Sequence, residues 1–280
     1  MKLAKTMSYL TALQLEQEPF STSPDPSFFY RSSEHYTALN RLEIAIRLRR
    51  GLSLILGDVG TGKTTLSRAL LQAFHGEEED YIFHMILDPH FKSEYQFLAH
   101  LTKLFGISPF FKSTMDHREA IEKYLFRKVV EEGKTVVLMV DEGQKLSLNH
   151  LEILRTLLNY ETNEHKMLQL VIFAQMELLG RIKKVRNFMD RVSLRYILNP
   201  LDEYETGKLI EFRLRQAGYN NARGLFSYET VKRIYAYTQG YPRQISRICH
   251  NAMQHLIMED HEAVTEDLIG RVIEQEKQWI

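Results

Sequence analysis

The stretch Gly57-Asp58-Val59-Gly60-Thr61-Gly62-Lys63-Thr64 follows the apolar run Leu52 to Leu56. It precedes a segment in which Leu66, Leu70, Ala73 and Phe74 share one helical face. It has the form GxxxxGK followed by Thr. Backbone N–H groups can wrap a polyphosphate only where side chains stay clear, and a lysine at this position reaches the β and γ oxygens. Glycine supplies the backbone freedom. Thr64 is expected to put a hydroxyl on Mg²⁺, and the helix opening there points its partially positive end at the phosphates. Gly57 to Thr65 are therefore read as a nucleotide-phosphate cradle between a strand and a helix.

Working outward, Asp141-Glu142 ends the hydrophobic run Thr135 to Val140, 78 residues after Lys63. An aspartate so placed can hold Mg²⁺, and the adjacent glutamate can orient and polarise a water for attack on a γ-phosphate. Alone the pair reads as a helix cap; with the phosphate loop upstream it reads as hydrolytic. The strand expected at Tyr81 to Leu87 lies between the two motifs, which suits ATPases with an inserted strand better than small P-loop kinases. Gln175 ends another expected strand, Leu168 to Ala174, where its amide could reach between the acidic pair and the γ-phosphate. Arg191 precedes a last strand near Arg195 to Leu198 and could be presented to a neighbouring subunit's nucleotide as an arginine finger. Arg186 and Arg195 compete for that role. Arg243, in Gly240-Tyr241-Pro242-Arg243, could fold onto the γ-phosphate.

The intervening pattern alternates strands and helices. Helices are expected from Ser33 to about Gly51, over 93–105 and 116–132, and along Leu148, Leu151, Leu154, Leu157 and Leu158. Continuous apolar runs such as Val136 to Val140 are typical of parallel strands buried on both faces, so the fold class is α/β with a parallel sheet. Residues 16–30 carry prolines and phenylalanines suited to an extended, anchored segment. After Pro200 only helices are expected, over 202–217, 227–238, 241–258 and 265–279. Three regions follow: an N-terminal segment packed on the core (1–32), a nucleotide-binding α/β domain (33–200) and a helical lid (201–280).

Composition sets few limits. The 280 residues include 36 basic and 36 acidic side chains, so no global field points to nucleic acid or membrane. The basic cluster Arg181, Lys183, Lys184 and Arg186 is read first as a solvated or subunit-facing surface and second as a contact for DNA phosphates. The single cysteine, Cys249, excludes a disulfide framework and fits core packing in a reducing cytoplasm. Histidines show no zinc-ligand spacing, and zinc is not expected. No signal-peptide core opens the chain and no run of about 18 apolar residues spans a bilayer.

These motifs together resemble the ExeA (general secretion pathway protein A) type of AAA+ ATPase, which is similar to transposition ATPases of the TnsC, TniB and MuB kind. The resemblance runs through nearly the whole chain. It is carried by Glu18-Pro19-Phe20, Pro24-Asp25-Pro26, Phe29-Tyr30, Gly57 to Thr65, Asp141-Glu142 with Gln144, Gln175 with Glu177-Leu178, Arg191-Val192 and Gly240 to Arg243. It implies a sheet in the order 5-1-4-3-2 with a helical lid, ATP as substrate with Mg²⁺, and assembly into a homo-oligomeric ring or filament. It assigns Gln175 to the sensor-1 position, Arg243 to sensor-2 and Arg191 to the finger. Members often read Asp-Glu-Ala-Gln and Gly-Gln-Pro-Glu-Leu, where this chain has Gly143 and Ala174-Gln175-Met176. Secretion members commonly continue into a membrane segment and a peptidoglycan-binding domain, whereas this sequence ends after the lid. The implied function is an ATP-driven switch for secretion, pilus or exopolysaccharide export machinery. On that reading it is cytoplasmic and recruited to the inner membrane by an envelope partner. The alternative is a DNA-dependent ATPase that regulates transposition.

Overall fold

The computed structural model describes residues 9–23, 25–108, 111–164, 166–220 and 224–278. Residues 1–8 of the expected N-terminal segment, Pro24 of the resemblance motif and residue 279 of the last expected helix lie outside the described residues. The elements, in order, are α1 (Tyr9–Ala12), α2 (Ser33–Arg47), β1 (Leu52–Leu56), α3 (Lys63–Ala73), β2 (Tyr81–Ile86), α4 (Glu94–Leu104) and α5 (Thr114–Phe126). After them come β3 (Thr135–Val140), α6 (Leu148–Leu157), β4 (Leu168–Ala174), α7 (Leu178–Ile182) and β5 (Val192–Ile197). The chain continues in helices only: α8 (Glu203–Gln216), α9 (Tyr228–Thr238), α10 (Pro242–Met258) and α11 (Glu266–Lys277). Among the described residues no helix is long and apolar enough to cross a membrane.

The chain forms two compact units, one of residues 33–59 and 63–198 and one of residues up to Ser32, Gly60–Gly62 and 199 onward. The first unit holds a five-stranded sheet in the order β2-β3-β4-β1-β5, every pairing parallel. This is the 5-1-4-3-2 order that the resemblance implies. Every residue of β1, β3 and β4 is buried, because helices cover both faces of these central strands. One face packs Leu54, Leu138 and Leu170 against Phe97, Leu125 and Leu154 of α4, α5 and α6. The edge strands β2 and β5 are less covered.

Three sequence expectations are corrected here. The last strand starts at Val192, not near Arg195, because the register slips between Leu52 and Ser53 and skips Ser193. Ser193 turns its hydroxyl onto the Leu52 carbonyl at 2.9 Å, and this irregularity breaks the apolar pattern that marks a strand. The helix expected through residue 132 ends as an α-helix at Phe126 and continues as a π-helical turn, Arg127–Glu131. Leu148 does not belong to the buried stripe of α6; it is exposed while Leu151, Leu154 and Leu157 are buried.

The second unit has its own core. Leu209, Ile210 and Leu214 of α8 pack with Ile245, Ile248, Cys249 and Met253 of α10 and with Leu268, Ile269 and Val272 of α11. Phe20 and Phe28 are buried in the same cluster, and Phe20 meets Phe226 edge-on at 6.1 Å. The loop before α8 is fixed at Gly240, whose φ is +76° and where a Cβ would lie 1.8 Å from the Leu201 carbonyl oxygen. Only glycine fits that approach.

Candidate functional site

The phosphate-loop residues leave the C-terminal end of β1 and enter α3 at Lys63. Gly57 N–H donates to the Ala174 carbonyl at 3.1 Å, which ties the start of the loop to the end of β4. Gly60 and Gly62 take φ of +86° and +97°, conformations that side-chain-bearing residues rarely adopt. Lys63 is buried, and its Nζ donates to the carbonyls of Gly57 and Asp58 at 2.7 and 2.8 Å. Burial lowers the affinity of this ammonium for its proton, while the carboxylates of Glu142, Asp141, Asp58 and Glu177 oppose that shift. Around it, Thr61 is buried, Thr64 and Thr65 are half-buried, and Asp58 and Val59 are exposed.

The acidic pair meets this loop directly. Asp141 is buried at the end of β3, its N–H bonded to the Ile86 carbonyl at 2.8 Å. One carboxylate oxygen accepts the Thr64 hydroxyl at 2.7 Å and the other accepts the Glu142 N–H at 2.9 Å. Glu142 has φ 51° and ψ 35°, a left-handed conformation that costs a non-glycine residue about 1–3 kcal/mol and is concentrated at functional sites. The next residue has no room for a side chain: a Cβ on Gly143 would lie 2.4 Å from Ile172 Cγ2 and 3.2 Å from Ala174 Cβ.

Gln144 then returns to the pair. Its Nε2 donates to Glu142 Oε2 at 2.8 Å, and its Oε1 accepts the Gln175 N–H at 3.1 Å. Gln175 is thus joined to Glu142 through a side chain whose role sequence reasoning missed. The bridge depends on the β3–β4 register, in which Val140 lies opposite Ile172; in the sequence Gln144 stands out only as a residue of the resemblance motif, with no role attached. A second missed role belongs to Arg181, whose guanidinium donates to the carbonyls of Gln144 and Leu146, the latter at 2.9 Å.

Of the remaining candidates, Arg191 has no bond to the phosphate loop or the acidic pair among those described, whereas Arg243 touches the loop at Gly60. Arg191, in a 3-10 turn before β5, donates to Asn159 Oδ1 from Nε at 3.1 Å and to the Asn187 carbonyl at 3.3 Å. Among its competitors, Arg195 donates to the Met189 carbonyl at 2.9 Å and Arg186 is exposed. Arg243 is exposed near the N-terminus of α10 in the helical unit, where its N–H donates to the Gly60 carbonyl at 3.4 Å.

The Thr64 hydroxyl and Asp141 carboxylate, held 2.7 Å apart, are the oxygen donors that a hard divalent cation takes. Mg²⁺ commonly uses one or two carboxylates, with substrate phosphates and water completing its octahedron. These residues fit such an ion.

Comparison with known proteins agrees with this geometry. The AAA domain family matches residues 46–182. General secretion pathway protein A of Aeromonas hydrophila is 34% identical over 255 residues, which are 88% of this chain and 44% of that protein. The chain therefore spans less than half the length of this curated relative. The solved structure of Drosophila ORC bound to DNA superposes with a TM-score of 0.68 at 19% identity, over 98% of this chain and 67% of that one. The Aeropyrum pernix ORC2 protein, in its ADPNP and ADP complexes, gives 0.65 at 14% identity over 92% and 71%. At these identities the structural likeness concerns the fold. Taking the phosphate loop, the strand order and these matches together, the chain has an AAA+ fold with an AAA domain over residues 46–182, and it resembles the general secretion pathway protein A type.

Proposed function

We propose that the protein binds and hydrolyses ATP with Mg²⁺ and works as a homo-oligomeric switch for envelope machinery in secretion, pilus assembly or polysaccharide export. The observation that carries the hydrolytic part is the bond between Thr64 and Asp141, with Glu142 next in the chain. It joins a phosphate cradle to an acid that can act on water. The assignment to envelope machinery rests on the 34% identity with general secretion pathway protein A. On this reading the protein works in the cytoplasm and reaches the inner membrane through a partner. Residues 33–200 form the nucleotide-binding domain, 201–280 the lid, and 1–32 an accessory segment.

The geometry at Thr64, Asp141 and Glu142 supports the first of the following roles, and the resemblance supplies those of Gln175, Arg243 and Arg191. Gly57 to Thr65 bind the phosphates through backbone N–H groups, and Lys63 exchanges its two carbonyl partners for phosphate oxygens. When bound, Mg²⁺ neutralises charge on the β and γ phosphates; Thr64 and Asp141 hold it. Glu142 orients the attacking water. Gln175 senses the γ-phosphate from the end of β4, Arg243 reads it from the lid, and Arg191 acts on the nucleotide of a neighbouring subunit. The test is Glu142→Gln. It should keep ATP affinity within about threefold and lower phosphate release by about 100-fold or more, as loss of a group needed only in the transition state requires. Turnover at the unaltered rate would remove Glu142 from this role.

A second reading, a DNA-dependent ATPase that regulates transposition, draws on the cluster Arg181, Lys183, Lys184 and Arg186, all exposed in α7 or between it and β5.

A further inference from the structure

The Gln144 amide is matched at both ends. A backbone N–H can be met only by its oxygen, and a carboxylate only by its NH₂. The contacts to Gln175 N–H and Glu142 Oε2 therefore fix which way the amide points. The main chain beneath it is held as well. Lys145 N–H bonds the Glu142 carbonyl at 2.9 Å and Leu146 N–H bonds the Gly143 carbonyl at 3.0 Å. Arg181 caps the carbonyls of Gln144 and Leu146. Ile172 and Ala174 of β4 leave no space for the turn to slide at Gly143.

We propose that Gln144 is the positioning residue for Glu142, holding its carboxylate in one orientation against the end of β4. This rests on the hydrolytic reading above. A glutamate side chain has three rotatable torsions, and a water-orienting group misplaced by about 1 Å can lose on the order of 100-fold in rate. A donor anchored to the neighbouring strand removes that freedom. It also makes the orientation of Glu142 depend on the backbone at Gln175, so movement at the end of β4 is transmitted to the carboxylate through one side chain.

Two variants of the full chain separate this from a structural role. Gln144→Leu loses both contacts. Gln144→Glu keeps an acceptor for Gln175 N–H but has no donor for Glu142. Phosphate release with Mg²⁺·ATP, binding of a fluorescent ATP analogue and the thermal midpoint are measured for each. Both variants should lose about 10- to 100-fold in kcat with KM and nucleotide affinity within about threefold and with the thermal midpoint retained. Full turnover by either variant overturns the proposal. If only Gln144→Leu is slow, the side chain supports β4 and does not position Glu142. A parallel loss of nucleotide affinity and melting temperature points to the same structural role and equally overturns it. If the unmodified chain releases no phosphate, the hydrolytic reading fails and takes this proposal with it. That outcome differs from an active parent with active variants.

Discussion

The resemblance to ExeA-type sequences departs at two positions, Gly143, where members often have alanine, and Ala174, where they often have glycine. The two positions face each other, since a Cβ at 143 would sit 3.2 Å from Ala174 Cβ. In this chain the methyl group of that contact is on the β4 side. Adding a second methyl at 143 alone should overpack the junction of the Glu142 turn with β4. Ile172 Cγ2, at 2.4 Å from the added carbon, is branched at Cβ and cannot swing away cheaply. Gly143→Ala should therefore lose about 1–3 kcal/mol in urea denaturation. Adding Ala174→Gly should recover part of that loss, because the contact with Ile172 remains. Additive losses in the double variant would show that the two positions are not coupled. The catalytic candidates show the same dependence on neighbours. Gly57 to Thr65 and Asp141-Glu142 were legible in the sequence because each is a contiguous motif. The Gln144 bridge and the Arg181 cap were not, because each joins residues more than 30 positions apart.

Among the elements, β2 shows how an edge strand is finished by its helices. His84 sits in this strand with its ring against Phe105 at 4.7 Å and its Nε2 bonded to the Tyr124 hydroxyl at 3.2 Å. Burial pushes its pKa down to about 4 from an ordinary value of 6.5. Between those values the unfolded chain holds the proton and the folded one does not, so stability is full above about pH 6.5 and falls as the pH drops toward 4. His117 and His150 are shifted the same way by burial and add to the loss. Denaturation at pH 7 and pH 5 should differ by on the order of 1 kcal/mol for His84, allowing for its partial exposure. His84→Phe should flatten that part of the profile; an unchanged slope would mean that the site tolerates the charge. The elements easiest to read were β1, β3 and β4, whose doubly buried faces demand unbroken apolar runs. The start of β5 was hidden by the irregularity at Ser193, and α7, five residues long, is too short for helical periodicity to register. His84 itself carried no signal, since its burial comes from α4 and α5 and not from its neighbours in sequence.

For the whole molecule, the proposed assembly makes a prediction that no single chain can satisfy. Arg191 is held by Asn159 and Asn187, away from the bonds that join Thr64 to Asp141. If Arg191 serves a neighbour, then Arg191→Ala and Lys63→Ala should each be inactive alone. Mixed, they should regain a measurable share of turnover, because some interfaces then pair an intact finger with an intact loop. A mixture as inactive as its parts, in particles shown by light scattering to contain both chains, would exclude action in trans. The transposition reading is tested by adding duplex DNA to the hydrolysis assay across a salt series. Stimulation that fades with salt supports it, and indifference at low salt removes it. The position of Arg181 bears on the strength of that effect. One guanidinium nitrogen caps the carbonyls of Gln144 and Leu146, but the side chain is exposed and keeps its charge, so the cluster offers DNA four cations, Arg181, Lys183, Lys184 and Arg186. Each neutralised phosphate releases close to one condensed counterion. The logarithm of any affinity carried by this cluster should therefore fall with the logarithm of salt at a slope of about −3.6 with all four cations engaged, and of about −2.7 after Arg181→Ala.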